Sequence, residues 1–298
     1  MEWEWVKEGQ AYLRLNWGEQ VEAGFSSREG GVSTGAFASL NLGLHVGDEA
    51  AAVLVNRERW LGVWGAGRRD AVVGEQVHGT EVVWVTDAEA GRGSGELGSA
   101  LPGVDGLLTQ SSLGLMAFFA DCTPLYFYDP TIRAVALAHA GWRGTAGKIA
   151  LRVLAALAER GGKAGDVRVA VGPSIGPCCY EVDERVAAHF RREFSETPFL
   201  QATRPGHYRL DLWRANLETL VGAGVWRSRI ATAGLCTSCQ PEHFYSHRRD
   251  GVPTGRMAAW IRLKTRESED RGQIRGRRQE VRGQKGRNRA GGSRQYEP

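Results

Sequence analysis

Residues 133–138 (RAVALA) form an apolar run of strand character that turns at once into Ala138-His139-Ala140-Gly141-Trp142-Arg143-Gly144-Thr145 and then into a helix. Ile149, Val153, Ala156 and Leu157 recur at helical spacing, while Lys148, Arg152 and Arg160 fall off that face. The unit is a buried strand, a sharp turn and an amphipathic helix. Gly141 and Gly144 let the backbone turn tightly, and Thr145 is the expected N-cap. A histidine, an arginine and a helix N-terminus therefore meet within seven residues. The unpaired N–H groups and partial positive charge of such an end suit an anion such as phosphate. An ordinary strand–helix connection with a packed Trp142 would read the same way, and the local residues leave both open.

Other apolar runs predict strands at 21–25, 71–77, 81–86, 104–109, 114–120 and 125–128. The run 81–86 reads as the hairpin partner or neighbour of 71–77, and 114–120, 125–128 and 133–138 read as one meander. Further strands are expected at 167–171, 230–233 and 257–263, and helices near 183–193 and 212–222. Asp48 is placed to cap a helix running to about Trp64, on which Val53, Arg57 and Trp60 lie close together. Residues 26–49 read as a long loop, but Val32, Phe37, Leu40, Leu42 and Leu44 argue against disorder. Residues 87–103 carry five glycines and read as a flexible loop.

With 298 residues, 42% of them apolar, the chain can bury a substantial core. Eleven of its 38 Lys/Arg and five of its 34 Asp/Glu fall in 264–298, so the formal charge of +4 resides in the tail and residues 1–263 carry −2. That tail has the composition of disorder. Nothing aromatic interleaves its charges as a single-strand binder would require, so nucleic acid is not an expected partner. No signal peptide or membrane-length apolar run is visible. Five cysteines, an odd number, are expected as thiols rather than a disulfide framework. These features predict a soluble cytoplasmic protein.

His78, Cys122 and His139 each sit just past a predicted strand. If those strands lie side by side in one sheet, two imidazoles and a thiolate converge at its end. That donor set suits zinc and leaves a fourth position open, where the pKa of a water would fall toward neutrality. The spacing matches no compact metal motif, and a core histidine with a packed cysteine is the plain alternative. Cys236-Thr237-Ser238-Cys239 is a C-x-x-C without a second copy, and it reads as packing. Cys178-Cys179 reads as lining or supporting a pocket, and His243 and His247 as loop residues.

The segments GFSSREGGVS (24–33), SLNLGLHVGD (39–48), VNR (55–57), QVHG (76–79), VDGLLT (104–109), ADCTPLYFYD (120–129), AHAGWRGT (138–145), GPSIGPCCYEV (172–182), DLWRAN (211–216) and CTSC…EHFYSHRRDGVPTGR (236–256) occur in order. In them the chain resembles the laccase-domain, or YfiH-like, family, once labelled multicopper polyphenol oxidoreductase and now regarded as zinc-dependent purine nucleoside phosphorylase with adenosine deaminase activity. The resemblance spans about 20–262. It implies an α+β fold, a single-domain four-layer α/β/β/α sandwich with mixed sheets over 1–263, followed by the basic tail. It also implies one catalytic Zn2+ on His78, Cys122 and His139. The implied reactions are phosphorolysis of adenosine, inosine and methylthioadenosine, and hydrolytic deamination of adenosine. The tail departs from the family pattern, and so does His247, where members commonly carry an aromatic.

Beside that resemblance, the residues predict that Arg143 and the helix start at Gly144–Thr145 hold phosphate, and that Arg57 helps to bind substrate. Asn41 and Arg28 are candidate ribose or phosphate contacts. Asp121 is read as orienting a ligand, acting as an acid, or serving only as a turn carboxylate. Partners are therefore a purine nucleoside and inorganic phosphate, with a monomer or homodimer expected. Seven histidines and no H-x-H pair do not supply a multicopper centre. The stronger rival is a Cys-His hydrolase or deamidase with Cys122 as nucleophile and His139 as base.

Overall fold

The computed structural model describes residues 2–264; the tail beyond it, and the expectations placed on that tail, lie outside the described residues. The chain shuttles between two six-stranded sheets. The first begins with β1 (Glu2–Val6), β2 (Tyr12–Asn16), β3 (Val21–Ser26) and, after α1 (Ala50–Val63), β4 (Ala71–Val73). The second takes β5 (Val82–Trp84) and β6 (Gly106–Thr109), after which β7 (Gly114–Phe119) returns to the first. Next, β8 (Thr123–Asp129), β9 (Ala134–Ala140) and β10 (Arg168–Val171) build the second sheet, with α2 (Trp142–Ala146) and α3 (Ile149–Glu159) between β9 and β10. A small antiparallel sheet follows, made of β11 (Glu181–Asp183), β12 (Leu200–Arg204) and β13 (His207–Leu210), with α4 (Glu184–Glu193) between β11 and β12 in the chain. Then come α5 (Leu212–Gly222), β14 (Ile230–Thr232), the short α6 (His247–Asp250) and β15 (Met257–Leu263).

The sheet orders are β1-β2-β3-β15-β7-β4 and β14-β10-β8-β9-β6-β5. Both are mixed, because β4–β7, β5–β6 and β10–β14 pair in parallel. Alternation along the strands sets the layers. On β7, Leu115, Ala117 and Phe119 join the cluster between the sheets, while Met116 and Phe118 pack outward with Trp60 and Trp64 at α1. On β9, Val135 and Leu137 face inward, and Ala134, Ala136, Ala138 and Ala140 face outward toward Ile149, Val153 and Leu157 of α3. Strands covered on both faces are apolar throughout, as these are. The result is the four-layer α/β/β/α sandwich in a single domain that the resemblance implied. Each fully buried Leu or Phe side chain contributes about 1.5–3 kcal/mol to it.

Several local expectations are corrected. Segments 114–120, 125–128 and 133–138 are not one meander: β8 and β9 form a hairpin, but β7 belongs to the opposite sheet. β5 is not a hairpin partner of β4 either, for it pairs with β6 in the other sheet. Asp48 does not cap α1, whose N-cap is Glu49; its carboxylate instead accepts from Ser33 Oγ and Asn41 Nδ2. Thr145 is no N-cap, because α2 begins earlier, at Trp142 with Gly141 as N-cap, and Lys148 in the left-handed region separates it from α3. Thr145 lies buried inside α2, where its hydroxyl donates to Ala140 O and accepts from Asn216 Nδ2. Loop 87–103 is held by Arg57 Nη1 on Gly93 O and Ser94 O and by Arg92 on Ser99 O. The small third sheet has no counterpart among the strands that the apolar runs predict. Among the described residues no helix is long and apolar enough to cross a membrane.

Candidate active site

His78, Cys122 and His139 arrive from both sheets rather than side by side in one. His78 follows β4 of the first sheet, Cys122 lies where the chain crosses from β7 to β8, and His139 is on β9 of the second. His139 shares the inward parity of Val135 and Leu137 and packs its ring on Phe119, with centroids 5.4 Å apart. One donor atom from each of the three lies within 4.8 Å of the others. A glycine makes room for them: a Cβ on Gly141 would stand 2.9 Å from Cys122 Sγ and 3.1 Å from His78 Cδ2.

The organiser of this cluster is Asp105, which no sequence motif marked as a site residue. Its buried carboxylate accepts the backbone N–H groups of Val77, His78 and Gly79, and also bonds His139 Nδ1 at 2.8 Å. The three amides hold His78 in a left-handed conformation, φ 60°, that its side chain would otherwise disfavour. The bond to Nδ1 orients the His139 ring and leaves Nε2 for an ion. Gln76 secures the same loop by pairing its side-chain amide with both the N–H and C=O of Phe118.

Burial pushes the Cys122 thiol up, but the neighbouring His139 and His78 outweigh it and bring it down to about 6. Burial lowers His139, yet the Cys122 sulfur and Asp105 raise it to about 9. A thiolate beside imidazoles is the chemistry of a soft-metal site, and the donor set fits zinc.

The cluster opens into a cavity of about 590 Å³, large enough for a nucleoside. Four arginines line it: Arg57, Arg143, Arg248 and Arg256. Trp142 and Tyr180 add aromatic faces, and His45 and His247 also reach it. Arg57 is buried, its Nε and Nη1 fixed on three backbone carbonyls, and burial lowers it to about 9. Arg143 is exposed, stacked on Trp142, and stands between this cavity and a second recess of about 390 Å³. Asp121 lines the cavity with both carboxylate oxygens engaged, accepting from Thr237 Oγ1 and from the Arg248 amide.

Three sequence candidates do not line this cavity. Thr145 is internal to α2. Asn41 is fully buried, its amide saturated by Gly43, Asp48 and the N–H of Arg256. Arg28 donates to Ala38 O and Pro241 O and stacks on Tyr245. Asn41 therefore positions Arg256, and Arg28 binds two loops together. Arg248 and Arg256 were missed, although both lie in the RRDGVPTGR segment that carries part of the family resemblance. His243 pairs with Glu29, whereas His247 begins α6.

The family model described as multi-copper polyphenol oxidoreductase laccase matches residues 22–264. A protein named purine nucleoside phosphorylase YlmD, from Geobacillus stearothermophilus, is 48% identical over 244 residues, covering 80% of this chain and 89% of that protein. A protein named adenosine deaminase RL5, from an unknown prokaryotic organism, is 34% identical over 250 residues, covering 83% and 95%. The crystal structure of YlmD from Geobacillus stearothermophilus superposes with a TM-score of 0.84 at 43% identity, over 88% of this chain and 99% of that one.

Proposed function

Since the chain belongs to the multi-copper polyphenol oxidoreductase laccase family, we propose that it is, despite that family's name, not a multicopper oxidase but a zinc-dependent enzyme of purine nucleosides. It cleaves adenosine, inosine or methylthioadenosine with phosphate to release the base, and it deaminates adenosine. The carrying observation is the His78–Cys122–His139 triplet opening into an arginine-lined cavity of nucleoside size. The names of relatives, purine nucleoside phosphorylase and adenosine deaminase, support the same reading.

His78 and His139 would hold the ion by imidazole nitrogen and Cys122 by its thiolate, with Asp105 fixing His139. A bound zinc ion supplies Lewis-acid polarisation and the activation of water at neutral pH. Trp142 and Tyr180 offer faces on which a purine base can stack. Arg143, Arg248 and Arg256 give the cavity a positive field in which phosphate is held and negative charge on the reacting groups is stabilised. The five-residue α2 is too short to serve as the expected anion-binding helix end, so this role passes to the guanidinium groups. Arg57 braces the cavity wall and adds its charge. Asp121, with both oxygens engaged, acts by positioning the Arg248 segment rather than as a proton donor.

Incubating the purified protein with adenosine tests the reading directly. Adenine and ribose 1-phosphate should appear only with phosphate, inosine should appear without it, and a chelator should abolish both. Arg143→Ala should raise the phosphate concentration needed for half-maximal rate by about 10–100-fold, the worth of one charge-assisted hydrogen bond, and spare deamination. Equal loss of both activities would remove Arg143 from phosphate binding. The Asp105–His139–Cys122 chain of contacts also favours a second reading, a Cys-His hydrolase. Activity that survives a chelator but is blocked by a thiol alkylator would establish that one instead.

A further inference from the structure

We propose that Cys178, Cys179, Cys236 and Cys239 form a second metal site, an all-sulfur set for a thiophilic divalent ion, with Zn2+ as its natural occupant. The C-x-x-C that reads as packing in the sequence meets the Cys178-Cys179 pair in space. All four sulfurs lie within 4.8 Å of one another, with Cys239 Sγ 3.5 Å from Cys178 Sγ and 3.4 Å from Cys179 Sγ. Four sulfurs placed tetrahedrally about zinc, each at about 2.3 Å, are separated by about 3.8 Å. The cluster already has that size.

Two segments far apart in the chain are built to bring the sulfurs together. Ser174 and Cys236 form an isolated parallel bridge, with Ser174 N donating to Leu235 O and Thr237 N to Ser174 O. Gly176 N donates to Cys236 Sγ at 3.2 Å, the amide-to-sulfur bond that stabilises a metal-held thiolate. A side chain at Gly176 would meet Trp213 at 2.8 Å and both Cys178 Sγ and Cys236 Cβ at 3.3 Å, so the turn must be glycine.

Hydrophobic packing does not account for the arrangement. Packed cysteines are buried, whereas Cys178 and Cys239 are exposed and only Cys236 is buried. Exposed free thiols in mutual contact invite oxidation. An ion removes that hazard and fastens the Ile175–Tyr180 wall of the cavity to the 236–239 turn. Arg249 continues the clamp, donating from Nη1 to Thr237 O and Ser238 O and from Nη2 to Phe244 O.

Metal analysis of the full chain, purified under reducing conditions, should find two ions per chain. The Cys236→Ser/Cys239→Ser double variant should hold one, and so should a His78→Ala/Cys122→Ala variant, so the two sites fail separately. Cobalt loaded into the latter should show thiolate-to-metal charge-transfer absorption of four-sulfur intensity. Should the double variant fail to fold, X-ray absorption on the unaltered zinc-loaded protein still decides, through the sulfur share of the averaged zinc shell. Five sulfurs and two nitrogens over two ions are expected. One ion per chain with four freely titrating thiols would overturn the proposal. So would a Cys178–Cys239 or Cys179–Cys239 disulfide found by peptide mapping of protein kept from air.

Discussion

At the scale of single residues, Asp105 decides more than any metal-type ligand, because it is bonded at once to the His78 loop and to the His139 ring. Asp105→Asn keeps the shape but cannot serve three amides and an imidazole N–H equally well. Zinc affinity, measured by competition with a chromophoric chelator, should fall about 10–100-fold, with the fold retained by circular dichroism. Nothing in VDGLLT distinguishes this aspartate from a turn residue, since its partners are 26 to 34 positions away. Asp250, which does not itself line the cavity, offers a pH test of the α6 segment. Burial raises its carboxyl, but Arg249 and the Ser246 amide outweigh it and hold it below the ordinary 3.8. The unfolded chain therefore takes up the proton first, so Asp250's contribution is complete above that value and is lost as pH falls through the folded one. Asp250→Asn should lower stability by about 1–3 kcal/mol at pH 7 and by progressively less as pH falls below 3.8, read from urea midpoints.

At the scale of elements, the legible parts were those whose signal is local. Helix 212–222 and strand 257–263 fall where periodicity put them, and α3 buries Ile149, Val153, Ala156 and Leu157 as its spacing requires. Sheet membership is not local. β7 and β8 read as neighbours because only 120–122 separate them, yet that turn, with Asp121 at φ 88°, carries the chain from one sheet to the other. The family motifs named the three donors, but no spacing shows that they come from opposing sheets. Nor could two Cys pairs some 60 residues apart announce a cluster. The turn after β9 gives the element-scale test. Gly141→Ala places a methyl against Cys122 Sγ and His78, so zinc binding about 5–150-fold weaker is expected, as overpacking costs about 1–3 kcal/mol. Gly62→Ala, inside α1 with open space around it, is the control and should leave zinc binding unchanged.

For the molecule as a whole, a site assembled across two sheets ties metal binding to the packing between them. His78 is carried by one layer and His139 by the other, and the layers are held in register by the core containing Phe25, Phe119, Tyr126 and Leu137. Phe25 touches Phe119, which touches His139, so the core reaches the donor set through a short chain of rings. Phe25→Ala should cost about 3–5 kcal/mol through the cavity it leaves. Because interiors are packed too tightly to absorb such a gap without movement, the same change should also weaken zinc. Conversely, an ion that binds only the folded state stabilises it by about 2.7 kcal/mol at a hundredfold excess over Kd, so zinc should raise the melting temperature of both forms. A smaller zinc-induced shift in Phe25→Ala than in the unaltered protein, at equal free zinc, would show that the sheets and the site are one energetic unit. Equal shifts would show instead that the Asp105 loop alone fixes the donors, whatever happens in the core beneath them.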